Sequence, residues 1–474
     1  MKYTIKVLFL AFSLFIITFN SAGQQADQKE VKYIFLFIGD GMGMAHVNAA
    51  EAYLKATGEE QNLSFTGFPE SGFVSTYAAN RFITGSAAAG TAMATGNKTN
   101  IGRISMDPEG VDVYETIAEK AKKNGMKVGI LSSVSIDHAT PAVFYAHQPS
   151  RDMYFEIAVD LTNSGFDFFG GGGFRKPTGT IDGMEVNIMG LAKEKGYVYV
   201  NTPDAIRKLK NKDEKIIAVS PKLDESAAMP YSIDREAEDI SLSEFTGKAI
   251  EILEGEDGFF IMVEGGKIDW ASHANDPATV IHDVLAFDKA IAEAYEFYEK
   301  HPDETLIVVT ADHETGGLGM GNKISGYGGD ISLPKYQKGS FVAFNNIVED
   351  FRENPGNDPT EGFARMEEIY KDFFGLGFSN KISLSEDEKS EIRQYFQKVY
   401  YSDDTESEGY YYGDYNPFRI TLTNILSAKS GLGWTTFSHT GIDVPLWAIG
   451  PGAEKFSGSI DNTDLAKIIG SYIE

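Results

Sequence analysis

The sequence predicts an α/β fold with a mainly parallel central sheet and helices on both of its faces. Short apolar runs bounded by glycine recur along the chain, at VKYIFLFIGDGM (31–42), FFIMVEGGKIDWASHA (259–274) and TLIVVTADHETGG (305–317). Runs of that length between glycines read as buried strands. Segments of helical spacing separate them, and strands alternating with helices indicate a parallel sheet with both faces covered. Each run also ends in a carboxylate, Asp40, Glu264 or Asp312. Ligands of open α/β sheets gather outside the carboxyl ends of strands, so these acids are expected at one edge.

Taken in order, the chain opens with Lys2 and Lys6, an apolar stretch from Val7 to Phe19, and the small residues Ser21-Ala22-Gly23. A charged start, a short apolar core and a small-residue exit describe a secretory signal peptide. The apolar stretch is shorter than the roughly 18–20 residues a membrane span needs. Residues 1–23 are therefore expected to be removed, leaving 24–474 in the periplasm or secreted, with no membrane span.

Ala45 to Thr57 is helix-like and Ser86 to Ala94 is small and alanine-rich. Residues 111–124 carry helical spacing and stop at Gly125, a typical C-terminal signal. KVGILSS (127–133) is a strand, 243–253 a helix, and 278–300 a long amphipathic helix. Residues 170–242 open with GGGGFRKPTG and read as loops and surface elements around one short strand. VPLWAIGPG (444–452) is expected as the last strand, followed by a short helix.

Residues 321–436 stand between His313 and His439 and are rich in acidic and tyrosine residues. Amphipathic helices and aromatics make them an expected inserted subdomain and not a linker. Ser385 and Glu388 form a capping box for a helix running toward Tyr400. The acid cluster 402–408 lacks the spaced Asp-x-Asp-x-Asp-Gly pattern of a calcium loop and reads as a solvated surface loop.

With 474 residues, 42% of them hydrophobic and 12% aromatic, the chain can bury a large core. A net charge of −27 argues against a nucleic-acid partner. It also opposes the approach of an anionic substrate, unless divalent cations reverse the field locally. There are no cysteines, so disulfides and thiolate metal sites are excluded and any metal is held by oxygen and imidazole.

Three carboxylates gathered at one sheet edge repel one another unless cations lie between them. Asp269 and His273, four residues apart, share a face if their segment is helical. Asp312 and His313 are adjacent at a strand end; both reach one ion only if the backbone turns sharply, and Gly316-Gly317 offer that freedom. His439 lies in SHTG shortly before a strand. Oxygen and nitrogen donors of this kind suit a two-zinc site, and Thr140 with Glu264 suits a hard ion such as Mg²⁺. Ser86 opens an alanine-rich run after a glycine, which puts its hydroxyl at a helix N-terminus that favours anions. An ordinary N-cap serine reads the same way. Arg151 has the planar fork that binds two phosphate oxygens.

These motifs together resemble the alkaline phosphatase family over nearly all of the chain after the signal peptide. The resemblance rests on IGDGMG (38–43), TGSAAAGTAMATGNKT (84–99), HATPAVFYAH with Arg151, EGGKIDWASHA (264–274), TADHETGG (310–317) and HTG (439–441). It implies phosphate-monoester hydrolysis, with Ser86 as the nucleophile that becomes phosphorylated and Arg151 as the clamp on the phosphoryl group. It further implies one zinc on Asp269, His273 and His439, and a second on Asp40, Asp312 and His313. Asp40, Thr140 and Glu264 would frame a magnesium, with His138 and Trp270 as that ion's neighbours, a pair similar to that of some bacterial members. Four ligand carboxylates against three dications leave a net positive site for a phosphate dianion.

Gly85 stands where many relatives carry an acidic residue that orients the arginine. The 321–436 insertion falls where the family places its variable crown-like region, a candidate for shaping substrate access or a homodimer contact. A sulfatase is excluded because Ser86 is followed by Ala-Ala-Ala-Gly and not by x-Pro-x-Arg. A phosphodiesterase or phosphomutase of the same superfamily, or a non-catalytic phosphate-binding protein, is the alternative.

Overall fold

Ten strands form one sheet in the computed structural model, which describes residues 31–59, 61–378, 382–401 and 415–473. The expected signal peptide and the acid cluster 402–408 lie outside the described residues. The strands are β1 (Tyr33–Ile38), β2 (Glu70–Ser75), β3 (Lys127–Ser132), β4 (Phe168–Gly171), β5 (Tyr197–Val200), β6 (Lys215–Val219), β7 (Phe259–Glu264), β8 (Thr305–Thr310), β9 (Val444–Ile449) and β10 (Gly458–Asp461). Their spatial order is β10-β2-β9-β8-β1-β7-β3-β4-β6-β5. All pairings are parallel except those of β9, which runs against β8 on one side and β2 on the other.

The apolar runs explain the centre. Every residue of β1, β7 and β8 is buried, as continuous hydrophobic strands covered on both faces must be. The covering helices follow in chain order: α1 (Met44–Thr57), α2 (Ser86–Thr95), α3 (Ile117–Lys123), α4 (Tyr154–Ser164), α5 (Leu242–Leu253), α6 (Lys267–His273) and α7 (Pro277–Lys300). After β8 come α8 (Phe341–Glu353), α9 (Pro359–Phe374), α10 (Glu386–Tyr401) and α11 (Pro417–Ser430), and α12 (Asn462–Gly470) closes the chain. Helices α8 to α11 bury an aromatic cluster of their own that includes Phe344, Phe363, Tyr370, Phe396 and Phe418. The capping box at the start of α10 is formed, with the Glu388 amide donating to Ser385 Oγ at 3.2 Å and the Ser385 amide to Glu388 Oε2 at 2.7 Å.

Three local expectations are corrected. The helix expected over 111–124 begins only at Ile117, because Thr116 and Glu119 form a reciprocal capping box that fixes the start. Residues 170–242 contribute β5 and β6 to the sheet and also a hairpin, Thr178–Ile181 with Met184–Asn187, more than the one strand expected. β9 is not the last strand, since β10 adds to the edge beside β2.

Parallel β3 and β4 bring Ser132 opposite Gly171, whose φ is +129°. A Cβ there would lie 1.8 Å from the Ser132 carbonyl oxygen, and both constraints select glycine. Gly171→Ala is expected to destabilise the fold by about 2–4 kcal/mol. Urea unfolding followed by circular dichroism checks this, and a midpoint equal to that of wild type contradicts it.

Candidate active site

The carboxyl ends of the central strands are level. Ile38 pairs with both Glu264 and Thr310, and Ser132 with Glu264. Glu264 therefore closes β7 at the same height at which Asp40 and Asp312 follow β1 and β8. Because β9 is antiparallel, the residues entering it meet this edge too. Glu314–Thr315 pairs with His439–Thr440 in a short antiparallel ladder, which sets His439 beside the β8 loop. The sharp turn needed there uses Gly316 (φ +88°) and Gly317 (φ +56°), where added Cβ atoms would strike Trp434 and Thr435.

Three clusters result, each with donor atoms within 4.8 Å of one another: Asp269, His273 and His439; Asp40, Asp312 and His313; and Asp40, His138 and Glu264. In the first, Asp269 Oδ1 lies 3.3 Å from His273 Nε2 and 3.6 Å from His439 Nε2. In the second, His313 Nε2 is 3.3 Å from Asp40 Oδ1 and 3.5 Å from Asp312 Oδ2. In the third, Thr140 Oγ1 donates to Asp40 Oδ2 at 3.3 Å, and Ser132 Oγ donates to Glu264. The Trp270 and His138 rings meet edge-on at 5.7 Å.

The histidines are prepared as ligands. His273 Nδ1 donates to the Phe437 carbonyl at 2.6 Å and His439 Nδ1 to the Thr84 carbonyl at 2.9 Å. Thr315 Oγ1 donates to Asp269 at 2.6 Å, so its lone pair accepts from His313 Nδ1 at 3.2 Å. Each ring thus keeps its Nε2 lone pair for the cluster, the arrangement that orients metal-bound imidazoles. Two of these lone pairs, on His273 and His439, face each other at 3.2 Å. Such an approach calls for a cation between them.

The acids make the same demand. Asp40 Oδ1, Asp312 Oδ2 and Glu264 Oε1 are buried without hydrogen-bond partners, a rare state for buried carboxylates. Burial, then the charges of Asp312, Asp269 and Glu264, hold Asp40 well above the usual carboxylate range. Burial pushes Glu264 up to about 8 and Asp312 up to about 7, with Asp269 adding to the latter. Burial pulls His273 down, but the Asp269 carboxylate outweighs it and raises the ring to about 9. Protons thereby occupy positions where dications would satisfy the same oxygens and nitrogens. The donor set, oxygen and imidazole with open valences, fits divalent metals.

Ser86 is the first residue of α2, and Gly85 is its cap. The serine is therefore not serving as an N-cap. Its buried Oγ lies 3.3 Å from His313 Nε2, at a helix end whose amides favour anions. Arg151 reaches the site from the loop before α4, with Nη2 3.0 Å from His138 Nε2. Among the described residues it has no carboxylate partner in an ion pair.

Sequence reasoning did not single out the residues that hold these groups in place. Thr315 bridges Asp269 and His313, and Ser132 binds Glu264. The turn after α6 is clasped from residues 321–436 and their flank. Arg419 Nη1 donates to the Ala274 carbonyl at 3.1 Å, and Gln337 Nε2 donates to both oxygens of Asp276 at 2.9 Å. Arg419 is fully buried in α11. Its place within FRITLTNIL was the available signal, since a lone arginine in an apolar helical stretch needs a partner inside.

The alkaline phosphatase family model matches residues 31–168 and 175–474. Alkaline phosphatase 3 of Bacillus subtilis is 32% identical over 456 residues, covering 94% of this chain and 89% of the relative. The crystal structure of a cold-active alkaline phosphatase from Shewanella sp. superposes with a TM-score of 0.76 at 29% identity, covering 93% of this chain and 100% of that one. A TAB5 alkaline phosphatase mutant with Mg bound in its M3 site is 25% identical, with a TM-score of 0.64 and coverage of 94% and 99%. With the buried acid and imidazole clusters at the sheet edge, these matches establish that the chain belongs to the alkaline phosphatase family of metal-dependent phosphomonoester hydrolases.

Proposed function

We propose that the chain hydrolyses phosphate monoesters through a phosphoserine on Ser86, at a site for two zinc ions and one magnesium. One observation carries this reading: the Ser86 hydroxyl stands at a helix N-terminus within hydrogen-bond reach of a cluster of three buried metal-type donors. Asp269, His273 and His439 hold one zinc, and Asp40, Asp312 and His313 the other. Asp40, Glu264 and Thr140 hold magnesium, with His138 and Trp270 flanking it. Bound there, the dications lower the pKa of the serine hydroxyl and of a water, and neutralise charge on the departing oxygen.

The protein's own groups do the rest. The α2 amides and the Arg151 guanidinium face the non-bridging phosphate oxygens and hold phosphorus against Ser86 Oγ. Oγ loses its proton and bonds to phosphorus as the bond to the alcohol oxygen breaks. Water then attacks the phosphoserine and releases inorganic phosphate. The apolar strand residues beneath the acids keep the floor of the site dry, which strengthens each charge interaction. No described helix is long and apolar enough to cross a membrane; the signal peptide expected over residues 1–23 supports a periplasmic or secreted enzyme that acts on small phosphomonoesters.

Ser86→Ala is expected to lower kcat on p-nitrophenyl phosphate at least about a thousandfold with its metal content unchanged; full-speed turnover contradicts the assignment.

Chelation is expected to abolish activity, and Zn²⁺ with Mg²⁺ to restore it. Elemental analysis of untreated, active protein that finds no transition metal contradicts the metal assignment.

The metal-free protein should also respond to pH. Glu264 near 8 and Asp312 near 7 lie above their unfolded values of about 4.3 and 3.9. The folded chain therefore binds more protons between about pH 4 and 8. The stability this provides is complete below about pH 4, declines as pH rises from there, and is gone once pH has passed 7 and 8. Chelated protein is expected to melt at lower temperature at pH 9 than at pH 6, and metal-loaded protein to lose that dependence; equal slopes in the two forms contradict the coupling.

Gly85 has room for a side chain, since a Cβ there meets only the His439 ring, at 3.7 Å. Gly85→Asp is expected to give Arg151 a carboxylate partner and to tighten inhibition by inorganic phosphate. An inhibition constant equal to or above that of wild type contradicts this.

A further inference from the structure

Next to His273 lies a cavity of about 220 Å³ that the transfer step leaves unused. Tyr231, Trp270, Phe341 and Tyr415 supply aromatic walls, Lys267 and Asp224 are charged members, and Glu225, also charged, is exposed to solvent. Those two charges compensate each other, with Lys267 Nζ 3.3 Å from Asp224 Oδ2 and 3.5 Å from the centre of the Tyr231 ring. The space therefore presents aromatic surface beside a compensated ion pair, with the exposed Glu225 as its remaining carboxylate. The Tyr231 hydroxyl is buried and has no hydrogen-bond partner.

Its position follows from the order of contacts across the site. Ser86 Oγ is 3.3 Å from His313, the His313 and His439 rings stack with centres 3.7 Å apart, and His439 Nε2 is 3.2 Å from His273 Nε2. Ser86 is thus at one end of the row and His273 at the other. In-line transfer puts the nucleophile and the departing oxygen on opposite sides of phosphorus. With Ser86 attacking, the alcohol leaves at the His273 end, and whatever it carries continues into the cavity that His273 lines. An apolar cavity of about 150 Å³ accepts benzene, so this one holds a six-membered ring with a short substituent.

We propose that this cavity is a leaving-group site that selects phosphate monoesters whose alcohol carries one aromatic ring. The proposal rests on Ser86 as the nucleophile. Residues 321–436 then contribute to substrate choice, because Phe341 and Tyr415 come from them.

The test compares 2-phenylethyl phosphate with ethyl phosphate, two primary alkyl esters of similar intrinsic reactivity. Metal-loaded wild type is expected to favour the phenylethyl ester about tenfold or more in kcat/KM, chiefly through KM. Phe341→Leu and Phe341→Ala are expected to bring the ratio toward one by lowering kcat/KM for the phenylethyl ester more than for ethyl phosphate. Inhibition of wild type by 2-phenylethylphosphonate against ethylphosphonate reads the same preference without a variant, and should favour the aromatic compound similarly. Ratios near one in wild type, or a ratio that Phe341→Leu leaves unchanged, overturn the leaving-group site. Ser86→Ala separates this from the underlying reading: retained turnover in that variant overturns the nucleophile, whereas an inactive Ser86→Ala beside a ratio near one overturns the cavity assignment alone.

Discussion

Mutual repulsion among buried acids is the constraint on which the rest of this molecule depends. Asp40, Glu264, Asp269 and Asp312 are all buried within one small region, where burial alone opposes ionisation. Three of their oxygens have no hydrogen-bond partner. Protons or divalent cations satisfy such oxygens, and burial of the acids together favours one or the other. The histidine rings, the threonine bridge through Thr315 and the arginine near His138 are arranged around that requirement.

The sheet solves the problem of gathering such groups from positions far apart in sequence. Parallel strands end on one side, so an acid that closes β7 and acids two residues beyond β1 and β8 converge without further design. The single reversed strand, β9, extends the same device to a residue that precedes a strand. His439 thereby reaches the cluster although more than a hundred residues separate it from His313. Its imidazole is set by a backbone carbonyl at Thr84, next to the helix that presents Ser86.

Much of this was legible because burial on both faces leaves an unmistakable apolar run. The strands 33–38, 259–264 and 305–310 and their terminal acids could be read from sequence, as could α5, α7 and α10. What was missed had specific causes. The 111–124 spacing hid a Thr116–Glu119 capping box, a signal that was present and outranked by periodicity. Strands β5 and β6 are short and lie at the sheet's edge, β5 alternating tyrosine with valine and β6 offering only four apolar residues after Lys215. Strand direction leaves no trace in composition, so the reversal of β9 was invisible. Thr315 and Ser132 act through geometry that unites distant segments, and no spacing rule could nominate them, whereas Arg419 was signalled only by its place in an apolar stretch.

The clasp on the turn after α6 has an evolutionary corollary. Ala274 and Asp276 are tethered by Arg419 and Gln337, while His273 leans on the carbonyl of Phe437. The outer helices are thus anchored where α6, the helix of Asp269 and His273, ends. Any replacement of those outer helices must bring its own partners for Ala274 and Asp276, or the end of α6 loses its tethers.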